Sequence, residues 1–476
     1  MLFKRLLFSC IVLAAYCVLS YNVASRQFVP TGDEPHYLVI AHSLAIDGDI
    51  SLLNNYKEQH YRIFYPSILA KRTTASADKR REIPTFGLGM PVFLAPWYRW
   101  FYDYAPEKLV AYLRMVICLV AAFGVFQLLS FGFELSGNFW FALWITAGAA
   151  FASPLITYSS QFYPEVFAFA LLVTGLRTLR NRHKHPWLST IVLMLIPGML
   201  MWLHPKYLAL AVVLTAITAF CIYRDQKELT QRRKDAKVIQ IAHIIVACLG
   251  IFTFFYFLHD KYGSWSPNRI YGGWQKESSL LDLLQQEGFQ RIGVMMKMFF
   301  GFWFDERFGL LPYSPFYVAF FAALIWAIRR RQTIVYPALV LLALHFLPLC
   351  WGAPLGGYAP PARHFVVMTP LILAPVFLFS STWISEQKAL FLTLQGVALF
   401  VAFEMLTHYR SIFANVTWRN PDGASDFWPI VHLEKWIPNC IATNPEYTLI
   451  LFWVLGIVLI AACLYPHEKG PGTAGY

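Results

Sequence analysis

An all-α polytopic membrane bundle is the fold class the sequence predicts, and three observations predict it. Hydrophobic residues make up 57% of the 476 and charged residues only 14%, little more than half of the roughly 25% that wets a soluble domain. Aromatic residues reach 17%, with 16 Trp and 25 Tyr, the side chains that settle where hydrocarbon meets water. Apolar runs able to cross a ~30 Å hydrocarbon core recur along the whole chain. The same composition excludes disorder, collagen and secreted disulfide scaffolds.

The first run, 6–23, follows Lys4 and Arg5 and reads as a retained anchor, because the small-residue pattern of a cleaved signal is poor. Further runs lie near 109–130, 139–157, 165–180, 187–203, 207–223, 238–258, 313–328, 333–350, 365–382, 388–406 and 447–465. At 1.5 Å per residue this is a count of about twelve spans. With the N-terminus inside, alternation puts the basic clusters at 180–184, 224–237 and 329–331, with Lys388 and Lys469, on the cytoplasmic side, as the positive-inside rule requires. The net charge of +12 therefore belongs to loops between spans, and nucleic acid is not an expected partner. Eight cysteines form no CxxC pair, so neither a zinc signature nor a disulfide framework is read.

Alternation places every long segment outside: 24–108, 259–312, 351–364 and 407–446. The first, of roughly 85 residues, is long enough to carry structure and function. Two membrane-surface helices are predicted in it, at 35–46 and at 89–101, the second with Phe93, Trp97, Tyr98, Trp100 and Phe101 at headgroup level. The whole chain, 1–476, reads as one integral membrane domain with no separate soluble domain. The halves show no internal repeat, which weighs against a secondary transporter.

Five constellations carry ionisable groups on the outer side. In Thr31, Gly32, Asp33, Glu34, Pro35, His36 and Tyr37, one reading is a helix start, with Asp33 or Glu34 capping amides and Pro35 in the first turn. The other is a carboxylate at the membrane surface that removes a proton from an acceptor hydroxyl; one suffices when the leaving group is already good. Tyr163, Pro164 and Glu165 open a span, either as a dipole-compensating first turn or with Glu165 facing the cavity that holds Asp33. His204, Pro205 and Lys206 lie between two spans, where a lysine snorkels or meets an anion. The stretch 351–364 combines glycines and prolines with Arg363 and His364; Arg363 is either an interface anchor or a planar fork for phosphate oxygens. Last come Asp305, Glu306 and Arg307, whose charges suit pairing with one another. The cluster Asp33, Glu34, His36 is a poor set for a divalent ion, and neither metal nor cofactor is expected.

Taken in order, Gly-Asp-Glu-Pro-His-Tyr after the first span, Tyr-Pro-Glu opening the fourth, Phe-Asp-Glu-Arg-Phe-Gly-Leu-Leu-Pro-Tyr at 304–313 and Gly-Gly-Tyr-Ala-Pro-Pro-Ala-Arg at 356–363 resemble the GT-C glycosyltransferases. More narrowly, they resemble the polyprenyl-phosphate-sugar-dependent enzymes related to protein O-mannosyltransferase and aminoarabinose transferase, over most of the chain from Asp33 to Arg363. The resemblance implies Asp33 as catalytic base with Glu34 beside it. The expected site completes this with Arg363, Lys206 and His204 on the donor phosphate, and Glu165 and Tyr163 lining the cavity on the acceptor side. The expected partners are a lipid-linked sugar donor, membrane lipids and a glycan, lipid or protein acceptor. The expected place is the bacterial inner (plasma) membrane, with the site facing the periplasm or exterior. A transporter or flippase of lipid-linked saccharides is the alternative, since it shares an apolar groove and phosphate-binding cations.

Overall fold

Helices that are apolar on every side must bury themselves or meet lipid, and the described chain is helical almost throughout. The computed structural model describes residues 1–25, 29–228, 233–267, 270, 280–352, 359–379, 381–407, 437–438, 440 and 447–465. Helix α1 (Leu2–Ser25) leads into a structured segment. That segment holds α2 (Glu34–His42), α3 (Leu53–Lys57), a two-stranded antiparallel ribbon of β1 (Thr73–Ala75) and β2 (Glu82–Pro84) with Thr74 opposite Ile83, and α4 (Gly89–Tyr104). Then follow α5 (Leu109–Ser136), α6 (Phe139–Phe151), α7 (Leu155–Tyr158), α8 (Pro164–Arg180), α9 (Pro186–Leu203) and α10 (Leu208–Glu228). The second half holds α11 (Arg233–Tyr262), α12 (Leu280–Phe304), α13 (Ala319–Arg329), α14 (Val335–Gly352), α15 (Phe365–Leu378), α16 (Ser381–Thr407) and α17 (Tyr447–Leu464).

Among the described residues, 6 helices are long and apolar enough to cross a membrane: Leu2–Tyr21, Pro106–Ser136, Pro186–Leu203, Pro205–Arg224, Ile245–Tyr262 and Gln387–Thr407. Shorter apolar helices, such as Phe139–Phe151 and Phe365–Leu378, pack among them. Large apolar side chains stay exposed along the outer faces: Leu119 and Phe123 on α5, Phe252 and Tyr256 on α11, Phe403 on α16, Phe452 and Leu459 on α17. Water would not tolerate so continuous an apolar surface, and the belt is consistent with an integral membrane protein.

The core is built around α5, which packs on α1, α6 and α8, while α15 packs on α8, α13 and α5. α15 is buried along its whole length from Phe365 to Phe377. Basic side chains sit at the start of α1 and the end of α8. Lys4 Nζ lies 5.1 Å from the Trp140 ring, and Arg177 reaches Glu134 at 2.8 Å and Gln127 at 2.7 Å.

Four sequence expectations need correction. The helix expected at 35–46 on the membrane surface forms as α2 and a π-turn, Ser43–Asp47, but every residue of α2 is buried; segments around Tyr56, Phe86 and Tyr98 cover it. The second expected surface helix, α4, does leave Val92, Phe93, Trp100 and Tyr104 exposed. The expected span at 139–157 stops at Phe151, because Ala152 turns extended at φ -111, ψ 166. Inside the segment expected as a loop at 259–312 stands α12, 25 residues long. Its first turns carry Asp282, Gln285, Gln286 and Glu287, which hide a helix from a test based on apolar run length. The ribbon was not expected either, since Thr73 to Ala75 and Glu82 to Pro84 are too short to alternate visibly.

Candidate functional site

Gly32 takes φ +61, a left-handed turn that suits glycine, and delivers Asp33 to the start of α2. Asp33 occupies the N-cap position, yet its side chain makes no capping bond. It instead accepts from Arg363 Nη1 at 2.8 Å, with 37% of the side chain exposed. Arg363 continues through Nε to Glu165 Oε1 at 2.6 Å, and the same oxygen accepts from Lys206 Nζ at 2.6 Å. The result is one ionic chain, Asp33–Arg363–Glu165–Lys206, drawn from the starts of α2 and α8, the turn before α10 and the turn before α15.

Each member is fixed by its element. Tyr163 is extended and Pro164 opens α8, so Glu165 lies in a first turn that favours a carboxylate, fully buried and with Oε2 lacking a hydrogen-bond partner. Beneath Arg363 lies the Tyr163 ring, 4.2 Å from the guanidinium carbon, a cation–π contact. The Tyr163 hydroxyl donates to the Thr31 carbonyl at 3.4 Å. Before Arg363, Ala362 takes φ 58, which costs a non-glycine residue roughly 1–2 kcal/mol; its N–H donates to Phe308 O at 3.1 Å. Tyr158 donates its hydroxyl to Pro360 O. Burial acts to lower the Arg363 pKa, but the Glu165 and Asp33 carboxylates outweigh it and hold that pKa well above the ordinary value. His204 turns Nδ1 to the Lys206 N–H at 3.2 Å, and burial, then the Lys206 charge, keep its pKa well below the ordinary one.

Glu34 is built differently. Both it and Arg114 are fully buried, and Arg114 Nη1 lies 3.0 Å from Glu34 Oε1. The Phe162 N–H donates to Oε1 at 2.9 Å, the Thr31 N–H to Oε2 at 3.1 Å, and the Gln161 amide, turned to its satisfied orientation, reaches both oxygens. Arg114 Nη1 also donates to Ser160 O at 2.7 Å. Glu34 thus ties α2 to α5 and to the turn before α8. His36 bonds the Tyr56 hydroxyl through Nδ1 at 2.9 Å and stacks on Phe86.

The structure therefore brings together Asp33, Tyr163, Glu165, His204, Lys206 and Arg363, and places Glu34 in the packing behind them. Sequence reasoning missed Arg114, and it left His345 and His364 without a role. His345, in α14, stacks on Tyr207 with ring centroids 6.0 Å apart, and His364 lies 6.3 Å from His345; the His364 Nδ1 makes no hydrogen bond. Ionisable residues inside apolar runs, as Arg114 and His345 are, were the available signal. Asp305 accepts the Arg307 and Phe308 N–H groups at 2.9 and 3.1 Å and the Cys440 N–H at 2.8 Å. It shapes the turn whose Phe308 carbonyl holds Ala362, and burial pushes its pKa up to about 6 against those donors. The glycine-rich part of the Arg363 segment, 353–358, lies outside the described residues.

Beside the ionic chain runs an apolar groove of about 610 Å³, lined by Phe93, Phe123, Phe167, Met199, Trp202 and their neighbours. Leu203, which lines it, directly precedes His204, whereas Phe167 stands two residues beyond Glu165 on another face of α8. The rim is tight because α4 begins against the end of α9: a Cβ on Gly87 would lie 2.0 Å from Leu203 O. No family model, curated protein or solved structure matches the chain.

Proposed function

We propose that the chain is a polytopic membrane glycosyltransferase of the GT-C type, with about twelve spans and its site on the non-cytoplasmic side. It takes a sugar from a polyprenyl-phosphate donor and passes it to an acceptor hydroxyl. The observation that carries the reading is the ionic chain itself: a reachable carboxylate, Asp33, unused as a helix cap, in line with two cations and next to an apolar groove.

The chemistry follows from those groups. Asp33 takes the acceptor proton while the acceptor oxygen attacks the anomeric carbon, and the sugar–phosphate bond breaks on the opposite face with inversion. The electron pair leaves with the lipid phosphate, whose growing charge is met by Arg363 and Lys206. Two acids and two bases neutralise one another at rest, so an incoming phosphate competes with Asp33 for Arg363 Nη1. That exchange frees Asp33 to act as base. Glu165 keeps both cations in place through Oε1, and Glu34 positions the start of α2. The groove between α4, α5, α8 and α9 suits the prenyl tail, since its lining is apolar.

The test uses the purified full chain in liposomes with synthetic short-chain polyprenyl-phosphate sugars. Release of polyprenyl phosphate that depends on Asp33 supports the reading. Flipping of an intact donor without cleavage selects the transporter instead, and cleavage that persists in Asp33→Asn overturns the role of Asp33.

A further inference from the structure

Among the described residues, a second set of ligand-bearing side chains lies in the segment between α1 and α5, apart from the ionic chain. His42, Asp47 and His60 each offer one ligand atom, and these atoms lie within 4.8 Å of one another. The spacing belongs to no metal signature, which is why it is silent in the sequence. Folding brings it together: His42 ends α2, Asp47 ends the π-turn, and His60 opens a 3-10 turn.

The surrounding bonds prepare both imidazoles as ligands. His42 Nδ1 pairs with the Tyr98 hydroxyl at 3.0 Å, and His60 Nε2 with Glu58 at 3.1 Å. The Glu58 carboxylate only accepts, so it selects the His60 Nε2–H tautomer and leaves the opposite lone pair for a metal. The Tyr98 hydroxyl does the same for His42 when it accepts from Nδ1–H. That leaves His42 Nε2 and His60 Nδ1. Asp47 Oδ2 is steadied by the Asn54 and Asn55 amides at 3.0 and 2.8 Å. The Asn55 Nδ2 also lies 3.3 Å from His60 Nδ1, so an amide nitrogen stands where a cation bridging Asp47 and His60 would stand. Asn55 is fully buried, and its Oδ1 has no hydrogen-bond partner. A half-turn of that amide puts the orphaned oxygen between the carboxylate and the imidazole, an arrangement that repels without a cation and ligates with one.

We propose that His42 Nε2, Asp47 and His60 Nδ1 bind one divalent transition ion of the zinc class, with Asn55 Oδ1 as fourth ligand. Two imidazoles with two oxygens suit such an ion better than calcium or magnesium, which take oxygen alone. Bonds of about 2.0–2.2 Å bring tetrahedral ligands roughly 3.3 Å apart, so the exposed Asp47 and half-buried His60 swing inward on binding. The ion clasps the segment 42–60 directly behind α2, the helix that starts at the Asp33 cap.

The test is independent of any transfer activity. Full-length protein in detergent is stripped with a chelator, then titrated with zinc chloride while bound metal and the thermal midpoint are followed. Wild type should take up one tightly bound zinc per chain and melt later as zinc rises. His60→Ala should lose both effects, and Asp47→Asn should weaken binding by at least about tenfold. Asp47 is exposed, so its variant keeps the fold and decides the matter if His60→Ala does not fold. A wild-type midpoint indifferent to zinc overturns the proposal. So does an Asp47→Asn chain that binds zinc as wild type does, since other ligands then hold the metal.

Discussion

Asp33 and Arg363 stand 330 positions apart in sequence and 2.8 Å apart in space, and this ion pair decides how both residues are read. A capping Asp33 would point its carboxylate at its own helix amides, and an interface-anchoring Arg363 would point at lipid headgroups. Each instead points at the other, with Glu165 on the far side of the guanidinium. Asp33 is 37% exposed and Arg363 19%, so solvent screens the Asp33 end and reduces what the pair adds to stability. The arrangement leaves Asp33 within reach of a ligand, which is what the proposed function uses.

Asp33→Asn should therefore leave the melting temperature near wild type while lowering sugar transfer by roughly 10²-fold or more, the usual reach of a general base. Thermal melts and turnover on the same preparation check it. Near-full transfer in the Asn variant removes Asp33 as base, since asparagine caps helices about as well as aspartate.

Glu34→Gln should do the opposite. It strips the charge from a fully buried partner of Arg114, and breaking such a pair from one side costs about 3–5 kcal/mol. Detergent-solubilised protein should melt markedly earlier, with any lost transfer tracking lost folded protein. A wild-type melt with abolished turnover would move Glu34 into the chemistry.

The sequence showed Asp33, Glu165, Lys206 and Arg363 because each stands at the end of an apolar run, where a charge needs a reason. It did not show that Glu165 Oε1 binds both cations, because that depends on how α8, α10 and α15 cross. Arg114 was hidden inside a run counted only for length, and its partner lies 80 positions away. The burial of α2 was equally illegible: its sequence, Glu-Pro-His-Tyr-Leu-Val-Ile-Ala-His, suits a lipid surface as well as a protein interior, and only the covering segments decide.

Sidedness is checked by labelling. Ser51 follows the π-turn after α2, and Lys184 lies between α8 and α9. In a background without exposed native cysteines, Ser51→Cys should react with an impermeant thiol reagent in intact cells and Lys184→Cys only after permeabilisation. The reverse pattern inverts the proposed orientation.

Acid should loosen the segment that carries Asp33. Burial lowers the His36 pKa from 6.5 to about 4, against an upward pull from Asp33 and with a smaller push from Arg72. The folded state then binds fewer protons than the unfolded one between those values, so stability is full above pH 6.5 and falls as pH drops toward 4. The loss is at most about 3 kcal/mol for this one group. His36→Gln, which can keep a bond to Tyr56, should show a shallower fall in melting temperature between pH 7 and 4.5. His42, pushed down to about 4 mainly by burial, keeps the fall from vanishing. An identical slope in the variant assigns the acid lability elsewhere.

The donor phosphate gives the last prediction. Arg363 is a planar guanidinium that at present gives Nε to Glu165 and Nη1 to Asp33, whereas Lys206 offers a point charge to Glu165 alone among the acids of the ionic chain. A guanidinium meets two phosphate oxygens at fixed geometry and an ammonium does not. Arg363→Lys should thus keep the charge, lose the fork and weaken transfer by about tenfold or more, the scale of one charge-assisted hydrogen bond. Lys206→Met removes only the secondary contact and should raise the donor concentration needed for half-maximal rate with a smaller effect on the maximal rate. Neither change should alter which acceptor is used, because in the proposed mechanism the acceptor meets Asp33. Donor titrations with a short-chain polyprenyl-phosphate sugar separate the two effects. Wild-type donor binding and rate in folded Arg363→Ala would show that the phosphate sits elsewhere and leave Arg363 as the tie between α2 and α8.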